Sequence, residues 1–109
     1  MKWNDISSKS QLDQIDLESK EQPVMILKHS TRCSISIVSL SRIERNWRDN
    51  EPLKPYFLDL LSHRDISEAI AKRYNIPHES PQVLLIKDQK CIFSQSHMEI
   101  NLKEITEHA

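Results

Sequence analysis

Apolar residues along the chain form two kinds of pattern, which are short continuous runs and stripes at helical spacing. The two longest runs, Val24–Leu27 and Val83–Ile86, contain four residues each and are typical of strands buried on both faces of a sheet. In the segment from about Cys33 to Arg48, apolar residues recur every three to five positions, which predicts a helix with one buried stripe. The residues predicted to form this stripe are Ile35, Val38, Ile43 and Trp47.

Three further strands and three further helices follow from the same reasoning. The strands are predicted at Trp3–Ile6, Tyr56–Leu58 and Cys91–Ser94, the last forming a hairpin with Gln82–Lys87 through a turn at Asp88–Gln89. The helices are predicted to begin at Ser7 or Ser10, at Ser62 or Asp65, and at Asn101, because such side chains accept hydrogen bonds from the first N–H groups of a helix. The predicted order of elements is therefore β-α-β-α-β-α-β-β-α.

This order defines the expected fold class. A β-α-β crossover produces parallel strands, whereas the late hairpin adds antiparallel strands on one flank, so the central sheet is expected to be mixed. Helices on both faces of such a sheet give a three-layer α/β/α architecture. Because 109 residues is the usual length of one domain, we predict a single domain over residues 1–109.

Charge and hydropathy argue against several classes of function. The 15 basic and 16 acidic residues give a formal net charge of −1, so there is no basic excess to neutralise phosphate groups or anionic lipids. No apolar run approaches the length that spans a bilayer, and the first residues do not resemble a signal peptide. We therefore expect a cytoplasmic protein that binds neither nucleic acid nor membranes.

The sequence contains no glycine. Phosphate-binding loops and dinucleotide-binding fingerprints depend on glycine, so these nucleotide-binding motifs are excluded. Turns that need a positive φ angle must use other residues, usually Asn or Asp, whose short polar side chains tolerate that conformation. We expect such turns at Asn50, Asn75 and Asp88.

The clearest candidate for chemistry is Cys33, which follows a predicted buried strand and opens a helix. The first N–H groups of a helix lack internal partners and carry partial positive charge, so a thiolate is favoured there over a thiol. The helix dipole contributes about 0.3–2 kcal/mol to this preference. Arg32 and the hydroxyl groups of Thr31, Ser34 and Ser36 are candidates to add to it.

The segment Cys33–Ser36 has the pattern C-x-x-S. In a C-x-x-C site the second sulfur lies one helical turn later and expels a mixed disulfide, which serine cannot do. A mixed disulfide on Cys33 would therefore persist until a separate thiol attacks it. This favours chemistry with a low-molecular-weight thiol.

Pro81 is a second candidate feature, because proline at the start of a strand can follow a cis peptide bond that bends the chain at a defined place. In a fold of the predicted order, this turn lies close to the helix that carries Cys33. The backbone of Ser80 would then be free to pair with an extended substrate beside the sulfur. The alternative is an ordinary trans proline, since about 95% of X-Pro bonds are trans.

Together these features resemble the thioredoxin superfamily and, more closely, the YtxJ family of monothiol bacilliredoxin-like proteins. The matching segments are Lys28–Ser36, His78–Ile86 and Ser96–Ile100, in the expected order across most of the chain. The chain departs from the family pattern at Ser34, where the family usually has proline, and at Gln89, where its late hairpin usually has glycine.

The resemblance implies a thioredoxin-like fold in which Cys33 is the nucleophile and Pro81 is the cis proline. It also implies that the reaction is the reduction of mixed disulfides between proteins and bacillithiol. A second low-molecular-weight thiol would then release Cys33. The residues expected to bind substrate are Thr31, Arg32, Ser34, Ser36, Ser80 and Pro81.

The expected partners are S-thiolated cytoplasmic proteins and a low-molecular-weight thiol, with bacillithiol as co-substrate and no bound cofactor or metal. The positive charges of Lys28 and Arg32 are candidates to attract the carboxylates of bacillithiol. Two other functions stay open. One is a redox-inactive thioredoxin-fold adaptor that binds peptides at Pro81, which an inert Cys33 would favour, and the other is a sensor thiol that is capped under oxidative stress without acting on substrates.

Three further residues have simpler interpretations. Cys91 is interpreted as a small buried residue on the same strand face as Phe93, with a resolving cysteine as the alternative. His29 is interpreted as a capping or surface histidine rather than a base for Cys33, and His97 as a hydrogen-bonded structural residue. Neither histidine lies in a sequence cluster of the three or four ligands that a metal site needs.

Overall fold

The computed structural model describes residues 1–109 and contains five strands and four α-helices in the order β-α-β-α-β-α-β-β-α. The strands are Asn4–Asp5 (β1), Val24–His29 (β2), Lys54–Asp59 (β3), Gln82–Lys87 (β4) and Lys90–Ser96 (β5). The helices are Gln11–Glu18 (α1), Ser34–Asn46 (α2), Arg64–Tyr74 (α3) and Leu102–Glu107 (α4), with a 3₁₀ turn at His97–Glu99 before α4. The predicted order of elements is confirmed. None of the helices is long and apolar enough to cross a lipid bilayer.

The strands form one sheet in the order β1-β3-β2-β4-β5. β1 and β2 each pair in parallel with β3, whereas β4 is antiparallel to β2 and β5 is antiparallel to β4. This confirms the predicted mixed sheet with an antiparallel flank. β2 is longer than predicted, because it continues through Lys28 and His29, and its register pairs Lys28 with Gln82. The end of β2 therefore lies beside the start of β4.

One apolar cluster covers each face of the sheet, which confirms the three-layer α/β/α architecture. On one face, α1 and α3 contribute Leu12, Ile15, Ile66, Ile70 and Tyr74. On the other face, α2 and α4 contribute Ile43, Leu102 and Ile105. Residues on strands β2 and β4 alternate between the two clusters, so both central strands are buried on both faces, as their continuous apolar runs predicted.

The buried face of α2 differs from the prediction. Ile35 and Val38 were expected to face the core, but they are 37% and 45% exposed, and that prediction is wrong. The buried residues of α2 are Ser36, Ser39 and Ile43. The inward face therefore begins with two serines, and a pattern built on apolar residues alone assigns such positions to the surface.

Four residues other than glycine have positive φ angles, and they are Asn75, Asp88, Gln89 and His97. Asn75 and Asp88 confirm the prediction for a chain without glycine, whereas Asn50 is not among the four and that prediction is wrong. Gln89 forms the β4–β5 hairpin turn with Asp88, at φ angles of 67° and 50°. Its Cβ atom crowds the backbone there, at a cost of about 1 kcal/mol.

We expect Gln89→Gly to raise the free energy of unfolding by about 1 kcal/mol, because glycine removes the steric cost of the positive φ angle. Urea denaturation of the variant and the wild type measures the difference. Gln89→Ala is the matched control, since it removes the side chain but keeps the Cβ atom. Equal gains in both variants would show that the benefit does not come from the backbone conformation.

Candidate active site

Cys33 is the N-cap residue of α2 and lies at the end of the sheet where the central strand β2 ends. Its backbone is extended, with φ −108° and ψ 117°, and its carbonyl accepts a hydrogen bond from Ile37 N at 3.1 Å. The side chain is a free thiol in a partly exposed position, and it makes no capping hydrogen bond within the helix. Cys33 thus opens α2 as predicted, outside the apolar clusters.

Three of the predicted site residues surround Cys33 on the surface, namely Thr31, Arg32 and Ser34, and all three are exposed. The Arg32 N–H donates to Ser30 Oγ at 3.3 Å, which fixes the turn before the cysteine. The Arg32 guanidinium forms no ion pair with any carboxylate of the chain. Its charge is therefore available to an anionic ligand.

Ser36, one helical turn after Cys33, lies inside the protein and is 0% exposed. Its Oγ accepts a hydrogen bond from Ser30 N at 3.0 Å and lies 2.7 Å from His29 Nδ1. The hydroxyl therefore ties the turn before Cys33 to the end of β2. A buried side chain with these partners does not reach a bound substrate. Ser36 therefore positions the turn before Cys33 and does not make the substrate contact expected from the sequence.

His29 is buried, which corrects its interpretation as a capping or surface residue. Its ring packs against Phe57 with the ring centroids 5.3 Å apart. Burial lowers the pKa of His29, although Asp59 opposes this effect. The neutral imidazole can accept a hydrogen bond at Nδ1 from the Ser36 hydroxyl. His29 thus supports the turn that carries Cys33.

The Ser80–Pro81 peptide bond is cis and precedes β4. Pro81 O accepts a hydrogen bond from His97 N at 3.0 Å, and His97 O accepts one from Ser39 Oγ of α2 at 3.4 Å. These contacts bring the proline turn, the 3₁₀ turn and the helix of Cys33 to the same end of the sheet. The N–H, C=O and hydroxyl groups of Ser80 have no hydrogen-bond partner in the chain, and its Oγ is buried.

His97 is a hydrogen-bonded structural residue, as the sequence predicted. Its φ angle of 56° allows its N–H and C=O groups to join Pro81 and Ser39. Its Nδ1 lies 3.4 Å from Glu79 Oε2, the same oxygen that accepts a hydrogen bond from Ser96 Oγ at 2.8 Å. His97 therefore connects β5 to the residues before Pro81.

Lys28 is fully buried at the end of β2, so the expectation that it attracts a ligand at the surface is wrong. Its Nζ donates to Ser67 O of α3 at 3.1 Å and lies 3.3 Å from His78 Nδ1. Burial lowers the pKa of Lys28 to about 8. Sequence reasoning missed this arrangement because it ended the strand at Leu27 and placed the lysine in the following loop.

Cys91 lies at the opposite end of the sheet from Cys33. It pairs with Ile86, which pairs with Val24 at the start of β2, whereas Cys33 follows the end of β2. The five residue steps from Val24 to His29, at about 3.3 Å each, separate these ends by roughly 16 Å, well beyond the Cα separation of about 7 Å that limits a disulfide. The two cysteines of this fold therefore do not form a disulfide with each other.

The environment of Cys91 is largely apolar. Cys91 packs against the cluster under α1 and α3, whereas Phe93 packs against the opposite one. A register shift at Leu85/Ile86 separates them, so the prediction that they share a face is wrong. Burial raises the pKa of Cys91, which keeps it a thiol. Cys91 is therefore a packing residue as interpreted, but it is partly buried where the sequence predicted a buried residue.

An exposed apolar patch follows Cys33 and was not predicted. It consists of Ile35, Ile37 and Val38 on α2, which are 37%, 51% and 45% exposed. The 3₁₀ turn packed against α2 adds Met98, which is 58% exposed. Apolar side chains grouped on a surface are typical of a site that contacts another molecule.

Comparison with solved structures defines the class of protein. The thioredoxin of Malassezia sympodialis has a TM-score of 0.75 and 20% identity, over 98% of this chain and 90% of its own. Fasciola hepatica thioredoxin has a TM-score of 0.74 and 20% identity, over 97% and 99%. A thioredoxin-fold protein described as a candidate oxidoreductase has a TM-score of 0.79 and 29% identity, over 95% and 90%. The chain is a thioredoxin-fold protein.

The sequence assigns the family within this class. Residues 4–105 match the profile of the family described as monothiol bacilliredoxin BrxC. Because this match spans almost the whole chain, the protein belongs to the monothiol bacilliredoxin family. The resemblance noted from the motifs around Cys33 and Pro81 is thereby confirmed.

Proposed function

We propose that the protein is a monothiol thiol–disulfide oxidoreductase that removes bacillithiol from S-bacillithiolated proteins, with Cys33 as the nucleophile. The observation that carries this proposal is a free, partly exposed thiol at the N-cap of α2, with no second cysteine within reach. The family to which the chain belongs supports bacillithiol as the co-substrate.

In the first step, the Cys33 thiolate attacks the bacillithiol sulfur of the mixed disulfide. The bond between the two substrate sulfurs breaks, and a new disulfide joins Cys33 to bacillithiol. The cysteine of the substrate protein leaves as a thiolate and takes a proton from water. The free N–H groups at the start of α2 favour the attacking anion.

In the second step, a separate thiol attacks the bacillithiol sulfur attached to Cys33. A low-molecular-weight disulfide forms, and Cys33 leaves as a thiolate. Over the two steps one disulfide is exchanged for another, so the external thiol is oxidised as the cysteine of the substrate protein is reduced. An external thiol is needed because Ser36 carries no sulfur and Cys91 lies at the other end of the sheet.

The residues around Cys33 support separate parts of substrate binding in this proposal. The unpaired backbone groups of Ser80 suit an extended stretch of the modified protein beside Pro81. The free guanidinium of Arg32 suits the carboxylates of bacillithiol. Thr31 and Ser34 add exposed hydroxyl groups on either side of Arg32 and Cys33.

Mass spectrometry without reductant tests the proposal. The reduced protein is mixed with a bacillithiolated substrate protein, and then free bacillithiol is added. We expect one bacillithiol adduct on Cys33, none on Cys91, release of the adduct by the added thiol, and repeated turnover. A protein that acquires no adduct would contradict the proposal and favour a peptide-binding adaptor. An adduct that forms without turnover would contradict enzymatic function and favour a sensor thiol.

A further inference from the structure

The segment between α3 and Pro81 is held in place by side chains. Residues 77–80 take part in no backbone–backbone hydrogen bond. The buried Gln82 side chain holds the segment from one side, since its Nε2 donates to Pro77 O at 3.0 Å and its Oε1 accepts from Glu79 N at 3.4 Å. The position of the proline turn therefore depends on the few side chains that contact this segment.

Lys28 and Ser67 contact the same segment at the side chain of His78. Lys28 Nζ lies 3.3 Å from His78 Nδ1 and Ser67 Oγ lies 3.1 Å from it. Lys28 Nζ also donates to Ser67 O at 3.1 Å, so one ammonium group joins β2, α3 and the residues before the proline. His78 is two residues before Ser80, whose backbone N–H and C=O groups have no hydrogen-bond partner in the chain.

We propose that Lys28 is a positioning residue for the Ser80–Pro81 turn, acting through His78. This inference rests on the proposed function, in which the turn binds the protein substrate. Lys28 belongs to the strand that leads directly to Cys33, and its side chain contacts His78 in the segment that leads to Pro81. One side chain thus fixes the distance between the nucleophile and the substrate-binding turn.

The nature of the side chain supports a role beyond filling space. A fully buried ammonium group is unfavourable unless hydrogen bonds compensate for the lost water, and an apolar residue would fill the same volume without that cost. Lys28 has no carboxylate partner, and its only polar contacts are Ser67 and His78. The contacts that the charge gains are therefore those that fix the turn.

The test separates binding of the protein substrate from reactivity of the sulfur. We expect Lys28→Met and His78→Leu to raise KM for a bacillithiolated protein roughly three- to tenfold, the value of one hydrogen bond, with kcat unchanged. Alkylation of Cys33 by iodoacetamide, a small uncharged reagent, should keep the wild-type rate. His78→Asn should restore the wild-type KM, because its Oδ1 provides an acceptor near the position of Nδ1.

Each outcome bears on one hypothesis. A wild-type KM in both Lys28→Met and His78→Leu would overturn the positioning role, and so would a His78→Asn variant as impaired as His78→Leu. Turnover by the wild type is measured first. Its absence would contradict the proposed function, whereas unchanged KM values in active variants would contradict only the positioning role. Since His78 is exposed, its variants are expected to fold.

Discussion

Replacing Cys33 by serine is expected to lower the turnover of a bacillithiolated protein by at least about a thousandfold, as for the loss of a catalytic nucleophile in other enzymes. A serine hydroxyl is not ionised near neutral pH, so the variant offers no anion to attack the mixed disulfide. The Cys33 side chain makes no capping hydrogen bond, and the substitution should therefore leave the fold intact. Release of bacillithiol from a labelled substrate, in the presence of excess thiol, measures the loss.

Cys91→Ser is the matched control for this prediction. Cys91 lies at the far end of the sheet and packs against an apolar cluster, so its replacement should leave most of the activity. A loss as large as that of Cys33→Ser would show that Cys91 takes part in the cycle. Appreciable turnover by Cys33→Ser would contradict a single nucleophile.

The order of strands and helices could be predicted because each element carries its own pattern. Val24–Leu27 and Val83–Ile86 are buried on both faces and therefore read as continuous apolar runs. The end of β2 could not be predicted, because Lys28 and His29 are polar residues inside a central strand. Their burial depends on Ser67, His78 and Ser36, which are distant in sequence, and a local pattern does not contain those contacts.

The candidate site, like the fold, was predictable where the signal is local and not where it depends on packing between distant residues. The position of Cys33 at the start of a helix follows from the local change from strand to helix pattern. The burial of Ser36 could not be predicted, since it depends on how the first turn of α2 packs on the sheet. The apolar patch at Ile35 and Val38 was missed for the same reason, because spacing alone assigned those residues to the core.

A second large effect is expected at Lys28. Burial lowers the pKa of this lysine from 10.5 to about 8, which corresponds to about 3 kcal/mol at 1.36 kcal/mol for each pKa unit. Methionine fills a similar volume without a charge, and His78 Nδ1 has a second partner in the wild type, Ser67 Oγ at 3.1 Å, which the substitution does not remove. After allowance for the lost hydrogen bonds, we expect Lys28→Met to raise the free energy of unfolding at pH 7 by about 2 kcal/mol.

The pH dependence of this gain provides a check on its origin. The unfolded chain holds the lysine proton up to about pH 10.5, whereas the folded protein releases it near pH 8. The unfolded state therefore binds more protons between these values, and the stability contributed at Lys28 rises with pH. The advantage of Lys28→Met over the wild type should shrink by about 2 kcal/mol between about pH 7.5 and 9.5.

Urea denaturation of both proteins at the two pH values measures this difference, and the comparison cancels groups that titrate equally in both, such as Cys91. A gap that does not change with pH would show that the buried charge is not the source of the gain. A variant that is more stable than the wild type at pH 7 and yet binds its protein substrate more weakly would show a trade-off between stability and function. That combination is expected if Lys28 positions the substrate-binding turn. Replacing a residue whose only role was to stabilise the fold would instead lower the free energy of unfolding and weaken substrate binding together.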